Sequence, residues 1–510
     1  MPDFDIANRL KNDYSKCQDM WQKNTANCYQ NNVSWLYKAV TRDLKAVYQA
    51  PTEEAALQAI GIYTSFAISA ITLLHDLNLS IGGIDARLNR RYQRLVNQHM
   101  TPPAPLASAI KDLACAQKTT FATTQAGWRF FNNERISFSQ LNEPIISLAL
   151  QQVALSPHPY APVVHDWSHL QFRTHNGKEE RLKMTHGGDV GYEPQTRLLV
   201  DAANGLPIAP LSQTLTGRAG CRSTLTEGLS ESLTHMDALT ADIARVEFLD
   251  TGKKLVHLID REGNSIGHMR TLSSQGICWL IRGKEGHRAE WGGDTRKIGE
   301  IADDLPFIAN GQVGWKGKKA NMEIGETSVI ITRTAKPKRK DKNTGRRVKV
   351  QPGVALTLRL VVVRLTDTHG KFIGRWTLLT NVSNELTSAE VARWYYWRWG
   401  IESFFKLLKG AGHDVEKWLQ RSAGALLRRL LIASMACVLV WRLQRAEGDD
   451  NAAARQLICR LSGQQQKRGR KESAPALLAG LSILLNTLTL LADYTPEELA
   501  HFAMVVFNPL

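Results

Sequence analysis

The segment RWYYWRWGIESFFKLLKG, residues 393 to 410, sets one carboxylate among cations and a phenol: Tyr395, Arg398, Glu402, Lys406 and Lys409. On one continuous helix, at about 100° per residue, these five share a stripe roughly 80° wide. Trp394, Trp397, Ile401, Phe404, Phe405 and Leu408 fall together elsewhere on the helix and form an apolar face for a core. An acid ringed by cations can ligate a divalent ion while its neighbours hold phosphate groups. A solvated surface helix would show the same charge pairs, because Arg398 and Lys406 flank Glu402 four residues to either side.

Two aspartates are natural partners for Glu402. Asp260 ends the apolar run LVHLID, and Asp166 follows APVVH in the same way. An Asp after a strand is commonly a turn former or a helix cap. Three acids delivered to one place by two strands and a helix are different, because clustered carboxylates repel and hard divalent cations relieve that repulsion. Two such ions can activate a water and stabilise the leaving oxygen of a phosphodiester. Glu262 is a spare acid beside Asp260. His165 and His169, at i and i+4, form a rival metal pair, but no Cys or third His is close to them in sequence.

These residues need elements to carry them. Thr387 with Glu390 makes a capping box that starts the helix, and Gly410 and Gly412 stop it. The first 150 residues read as mostly helical, with periodic apolar positions over 34–49, 53–75 and 105–116 and a break at Pro102, Pro103 and Pro105. From about 155 the pattern changes to short β-like runs, APVVHDW, RLLVDAANGLPIAPLSQ, KLVHLID and GICWLIRG, with a helical stretch over 228–246. Strands interleaved with helices indicate an α/β fold. Residues 295–382 are predominantly β in pattern, with SVIITRT, ALTLRLVVVRL and RWTLLTNV separated by turns. After 415 the chain is helical again, and a last helix opens at Thr495 with its capping glutamate at Glu498.

Of 510 residues, 64 are Lys or Arg and 48 are Asp or Glu, a net charge of +16 that points to a polyanionic partner. The basic run AKPKRKDKNTGRRVKV, 335–350, joins two β runs as a solvated loop or a phosphate contact, and KRGRK at 467–471 reads as a linker. The seven Cys are odd in number and never spaced as CxxC, which implies reduced thiols and excludes a zinc ribbon or disulfide framework. The start MPDFDIANRLKND lacks an apolar signal core, Gln58, Thr64, Ser65, Ser69 and Thr72 dilute the uncharged stretch 55–74, and Leu430–Trp441 is too short to span a bilayer. The expectation is a cytoplasmic protein without a membrane segment.

The spacing Tyr395-x2-Arg398-x3-Glu402-x6-Lys409 resembles the Y–R–E–K signature of bacterial transposases of the insertion-sequence-four family, which carry a DDE triad. Asp260-Arg261-Glu262 resembles the segment around that family's second aspartate, and Asp166 is placed as the first by order and spacing. The resemblance covers residues 160 to 415. It implies a ribonuclease-H-like catalytic core over 151–294 and 383–414, and a β-rich insertion domain over 295–382. It further implies a helical DNA-binding region over 1–150 and a helical region over 415–510 used for dimerisation. By the same resemblance, Asp166, Asp260 and Glu402 hold two Mg²⁺ ions, with Mn²⁺ as a substitute. Arg398 and Lys409 contact phosphates, Tyr395 bonds the same backbone, and Lys406, outside the signature, assists. Trp376 corresponds to an insertion-domain aromatic that stacks on a flipped base; a core Trp on a strand is the alternative. The implied activity is cut-and-paste DNA transposition by a nucleoid-associated enzyme. It would cleave element ends by way of hairpins, join them to target double-stranded DNA, and pair as a homodimer on two ends. A nuclease without strand transfer and an inactive DNA-binding repressor are the alternatives.

Overall fold

A computed structural model of the chain describes residues 80–100, 120–184, 188–230, 235–315, 318–335, 353–410, 412–463 and 472–493. The periodic stretches 34–49, 53–75 and 105–116, the basic residues 336–350, the run 467–471 and the capping box at Thr495 lie outside the described residues. The chain divides into two compact units, Ser137–Phe405 and Met1–Ile136 with Lys406–Leu510.

In chain order, the first unit-forming helices are α1 (Ala86–His99) and α2 (Thr120–Phe131), followed by α3 (Phe138–Ala154). The strands β1 (Tyr160–Trp167), β2 (Leu170–Gln171), β3 (Leu182–Lys183), β4 (Val190–Val200), β5 (Pro207–Gly217) and β6 (Gly220–Ser223) come next. Helix α4 (His235–Glu247), β7 (Lys254–Ile259), α5 (Ile266–Ser274) and β8 (Cys278–Arg282) alternate after them. Then follow β9 (Arg288–Trp291), β10 (Asp294–Lys297), α6 (Ile298–Asp304), β11 (Ile308–Trp315), β12 (Lys318–Ile331), β13 (Leu356–Thr366) and β14 (Phe372–Thr380). The chain closes with α7 (Ser388–Trp397), α8 (Gly400–Leu408), α9 (Ala423–Arg445), α10 (Asp449–Leu461) and α11 (Ala474–Asp493).

The unit Ser137–Phe405 is mixed α/β, built on one sheet in the order β10-β9-β12-β13-β14-β8-β7-β1-β4-β5-β6. Strand β1 pairs parallel with β7 and antiparallel with β4, and β7 pairs parallel with β8. The chain therefore leaves β1 to one side, through β4 and β5, and returns on the other at β7. That reversal makes the β1/β7 junction a topological switch point, where open α/β sheets collect ligands at the carboxyl ends of their strands. The β-rich stretch does not form a sheet of its own, because Leu378–Thr380 of β14 pair with Leu280–Arg282 of β8 and extend the same sheet. A free edge on β8 offers unpaired backbone groups, and β14 satisfies them.

One face of this sheet is closed by apolar packing. Met236, Leu239 and Ile243 of α4, Ile266, Met269 and Leu272 of α5, and Ile298 and Ile301 of α6 share a cluster with Ile259, Trp279, Ile281, Leu360 and Leu379 from the strands. Helix α3 falls in this unit rather than with the helices before it: it packs on β5, and Asn142 Nδ2 donates to the carbonyl of Leu211 at 3.0 Å.

The second unit joins helices from both ends of the sequence, although the sequence suggested separate N- and C-terminal regions. Its centre is α9, which packs against α1, α2, α10 and α11. Arg428 of α9 donates to the carbonyls of Ile136 at 3.1 Å and Phe131 at 3.3 Å. Arg429 lies 4.0 Å over the Trp418 ring and donates to Gln420 Oε1 at 3.1 Å. Among the described residues α9 alone is long and apolar enough to cross a membrane, longer than the apolar run in the sequence suggested. Nearly all its side chains are buried, as in a core helix of a globular fold.

Candidate active site

The pairing of β1 and β7 sets the two aspartates together. His165 is in register with Ile259, so the next residues, Asp166 and Asp260, stand side by side at the carboxyl ends of adjacent parallel strands, with the strands about 4.8 Å apart. Asp166 is paired with Thr196 of β4 on its other side. Asp260 also caps the short turn Arg261–Gly263, its Oδ1 accepting from the Arg261 N–H at 2.6 Å. The turn-former role and the site role coexist in this residue.

Helix α7 supplies the counter-charge. The capping box of Thr387 and Glu390 forms as the sequence predicts, and Trp394 anchors the helix by donating from Nε1 to the carbonyl of Ala202 at 3.1 Å. Gly205 has φ +72°, and a Cβ there would lie 2.2 Å from the Trp397 ring, so only glycine allows this close approach. The helix end then presents Tyr395 and Arg398 to the aspartates. Tyr395 Oη donates to Asp260 Oδ1 at 3.0 Å. Arg398 reaches Asp166 Oδ2 through Nη1 at 3.0 Å and Asp260 Oδ2 through Nη2 at 3.4 Å. Its side chain is 7% exposed, and among the described residues its Nε–H has no partner.

The two carboxylates differ electrostatically. Burial pushes the Asp166 carboxyl up, and the Asp260 charge adds to this, against the pull of Arg398 and the Trp167 N–H. Burial acts on Asp260 in the same direction, but Arg398, the Arg261 N–H, the Tyr395 hydroxyl and Arg282 together hold it below the usual carboxylate range. Burial also lifts the Tyr395 phenol to about 12, so it remains a hydrogen-bond donor at neutral pH. For Arg398, burial opposes the charge, yet Tyr395, Asp260 and Asp166 more than compensate, and the guanidinium stays protonated. The result is a compact arrangement in which one buried cation bridges two unequal acids.

The helix expected to run unbroken from 388 to 409 is interrupted at Arg398 and Trp399. The N–H groups of Ile401 and Glu402 bond three residues back, to Arg398 and Trp399, and α8 starts anew at Gly400. Gly400 has poor helix propensity, and three-residue hydrogen bonding tightens the turn. The uninterrupted stripe from Tyr395 to Lys409 therefore does not form. Trp394, Ile401, Phe404, Phe405 and Leu408 are nonetheless buried, as their apolar spacing predicts, and Trp397 is half-buried. Glu402 is exposed in the first turn of α8, and among the described residues its carboxylate has no hydrogen bond or ion pair. Lys406 and Lys409 belong to the other unit, where Lys409 lies 3.8 Å from Glu416.

Trp376 does not meet the condition for stacking on a base. Its ring is 2% exposed, with centroids of Trp315, Tyr395, Tyr396 and Trp399 5.7 to 6.4 Å away. A fully surrounded indole offers no free face, so its place here is the core packing behind Tyr395. The rival histidine pair is also separated. His165 is buried on the α4 side of the sheet, bonded to His257 at 2.7 Å, which in turn bonds Glu247 at 2.7 Å. Adjacent residues of a strand point to opposite faces, so His165 faces away from Asp166. His169 lies near Glu193 at 3.9 Å.

Sequence reading missed Arg282. It ends β8, the strand beside β7, and its charge acts on both Asp260 and Tyr395. The signal was present: the apolar run ICWLIR ends in Arg as LVHLID ends in Asp.

Asp166 and Asp260 have the chemistry of a hard-cation site, two oxygen donors with side chains 25% and 34% exposed and lone pairs still available. Among the described residues no three metal-ligating side chains are gathered, since Glu402 does not reach the pair. In comparisons with known proteins, no family model and no curated sequence matches the chain.

Proposed function

We propose that this chain is a metal-dependent DNA transposase with a ribonuclease-H-like core, acting on the ends of a mobile element in cut-and-paste fashion. The observation that carries the reading is the pair of aspartates at the switch point of a mixed sheet, joined by the Arg398 and Tyr395 of a Y–R–E–K spacing. The net charge of +16 supports a double-stranded DNA partner.

Asp166 and Asp260 would hold Mg²⁺ or Mn²⁺; Glu402, exposed on α8, would complete the set only by turning toward them when the ion and DNA are bound. The ion supplies Lewis acidity toward a phosphoryl oxygen and acidifies bound water. Arg398 is free to exchange a carboxylate for a phosphate, because its charge is fixed and its fork geometry suits both anions. Tyr395, protonated at neutral pH, keeps Asp260 oriented through its hydroxyl. The reading extends to a homodimer that pairs two element ends and to hairpin intermediates.

The outward Glu402 favours one alternative, a transposase-derived repressor that binds DNA without cutting it. Incubation with DNA carrying the element ends and Mg²⁺ separates the readings: a transposase joins ends, a nuclease only cuts, and a repressor only shifts mobility. Glu402→Gln should abolish nicking and leave end binding nearly intact, since the amide keeps shape but loses the charge that holds a cation. Nicking above about one per cent of wild type would remove Glu402 from the metal site.

A further inference from the structure

A second cationic site lies in the same unit, past the turn that follows Asp260. His287 Nδ1 receives Asn264 Nδ2 at 3.1 Å and Arg333 Nη2 at 2.8 Å. A nitrogen that accepts two N–H groups carries the ring's lone pair, so the imidazole proton resides on Nε2, which is a donor. Among the described residues Arg333 Nε–H has no partner, and Asn264, 7% exposed, has an unpartnered Oδ1.

Two further features show that these groups are held in place. Arg270 of α5 donates from Nε to the carbonyl of Val354 at 2.8 Å and from Nη2 to that of Arg333 at 2.9 Å. Gly353 packs against that guanidinium so closely that a Cβ would lie 2.6 Å from it. The N-terminus of α5, a helix of nine residues, follows Asn264 directly, and Ser265 makes no side-chain cap bond there. A Cβ at Gly267 would meet only Ala335 at 3.7 Å and Ser265 at 3.9 Å, so there is room beside this residue of the first turn. The N–H groups of a helix's first turn favour an anion.

The acid placed beside this cluster, Glu290, is engaged by Thr332 Oγ1 at 2.8 Å. Among the described residues, Arg270, Arg333 and Lys284 form no ion pair. Burial depresses the His287 imidazole to about 4, helped by Arg333 and Lys284. Burial and Arg270 likewise lower Arg333. Donors that converge half-buried and form no ion pair are stabilised when an anion arrives.

We propose that Arg333, His287 and the N-terminus of α5, with Arg270 as the positioning residue, bind a backbone phosphate of the nucleic acid held at Asp166 and Asp260. The proposal rests on the DNA reading above, and the test separates the two. The full chain is studied as wild type, Arg333→Gln and Arg333→Lys, with two probes: sodium sulfate against sodium chloride at equal ionic strength, read by melting temperature, and a labelled duplex of element-end DNA, read by affinity against salt. Sulfate strengthens packing in any protein, so the decisive quantity is the difference between variants. Sulfate should stabilise wild type and Arg333→Lys more than Arg333→Gln. The log–log salt slope for DNA should flatten by about 0.9 in Arg333→Gln and little in Arg333→Lys. Equal sulfate stabilisation in all three proteins together with an unchanged slope would overturn the site. Wild type that ignores DNA but gains sulfate stabilisation through Arg333 would keep the anion site and remove the DNA reading. Melting in chloride shows whether Arg333→Gln folds. If it does not, His287→Gln, which keeps a donor but changes its position, is put through the same assays, and wild-type values there would overturn the site.

Discussion

Arg398→Met tests the centre of the reading, because methionine keeps most of the stem and removes the cation. The substitution deletes the 3.0 Å bond to Asp166, the 3.4 Å contact to Asp260 and a guanidinium 5.6 Å from the Tyr395 ring. Breaking a fully buried pair costs about 3–5 kcal/mol. Here the aspartates are 25% and 34% exposed, so water recovers part of the loss and about 2–3 kcal/mol remains. For a unit of this size that corresponds to a fall in melting temperature of roughly 4–5 °C. The loss should depend on pH. Both carboxylates are ionised at pH 8 and need the cation. Near pH 4 Asp166, whose proton is already held more tightly than usual, carries less charge to strand. Calorimetry at pH 8 and pH 4 should show the larger deficit at pH 8. Mg²⁺ should restore more stability to the variant than to wild type, about 1.4 kcal/mol at ten times its dissociation constant. A shift under 1 °C, or an equal deficit at both pH values, would refute the electrostatic role of Arg398.

Trp376→Ala should cost about 3–5 kcal/mol through the cavity it leaves among Trp315, Tyr395 and Trp399, and a melting curve close to wild type would contradict the core placement. Acid should destabilise both units. Burial holds His268 near 4 and His413 near 3, below the unfolded value, so stability is full above pH 6.5 and falls as pH drops toward those values. At pH 5 each contributes roughly 2 kcal/mol of loss, and His268→Gln or His413→Gln should flatten the melting profile between pH 7 and pH 5. Asp260→Asn should abolish nicking while the turn it caps survives, because an amide oxygen still accepts from the Arg261 N–H; cleavage at the wild-type rate would remove it from the site.

Much of this arrangement is legible in local chemistry. The α/β alternation, the capping box at Thr387, the strands ending at Asp166 and Asp260 and the apolar face of Trp394, Ile401 and Phe404 follow from periodicity and from residues that interact within one turn. Such signals are short-range, and a sequence carries them directly. The rest depends on pairings between residues far apart. That Arg398 meets two aspartates, 232 and 138 residues earlier, follows from the parallel register of β1 with β7 and from the place where α7 ends. The helix break at Arg398 and Trp399 displaces Glu402 from a stripe that assumed uniform rotation, because one tightened turn changes every later angle. Trp376 has the same neighbours in sequence whether exposed or buried; only β14 joining β8 and the rings of Trp315, Tyr395, Tyr396 and Trp399 bury it. Side-chain type and spacing thus determined which groups could do chemistry, while strand register and helix termination decided which of them meet, since both depend on contacts that close only when the whole sheet is assembled.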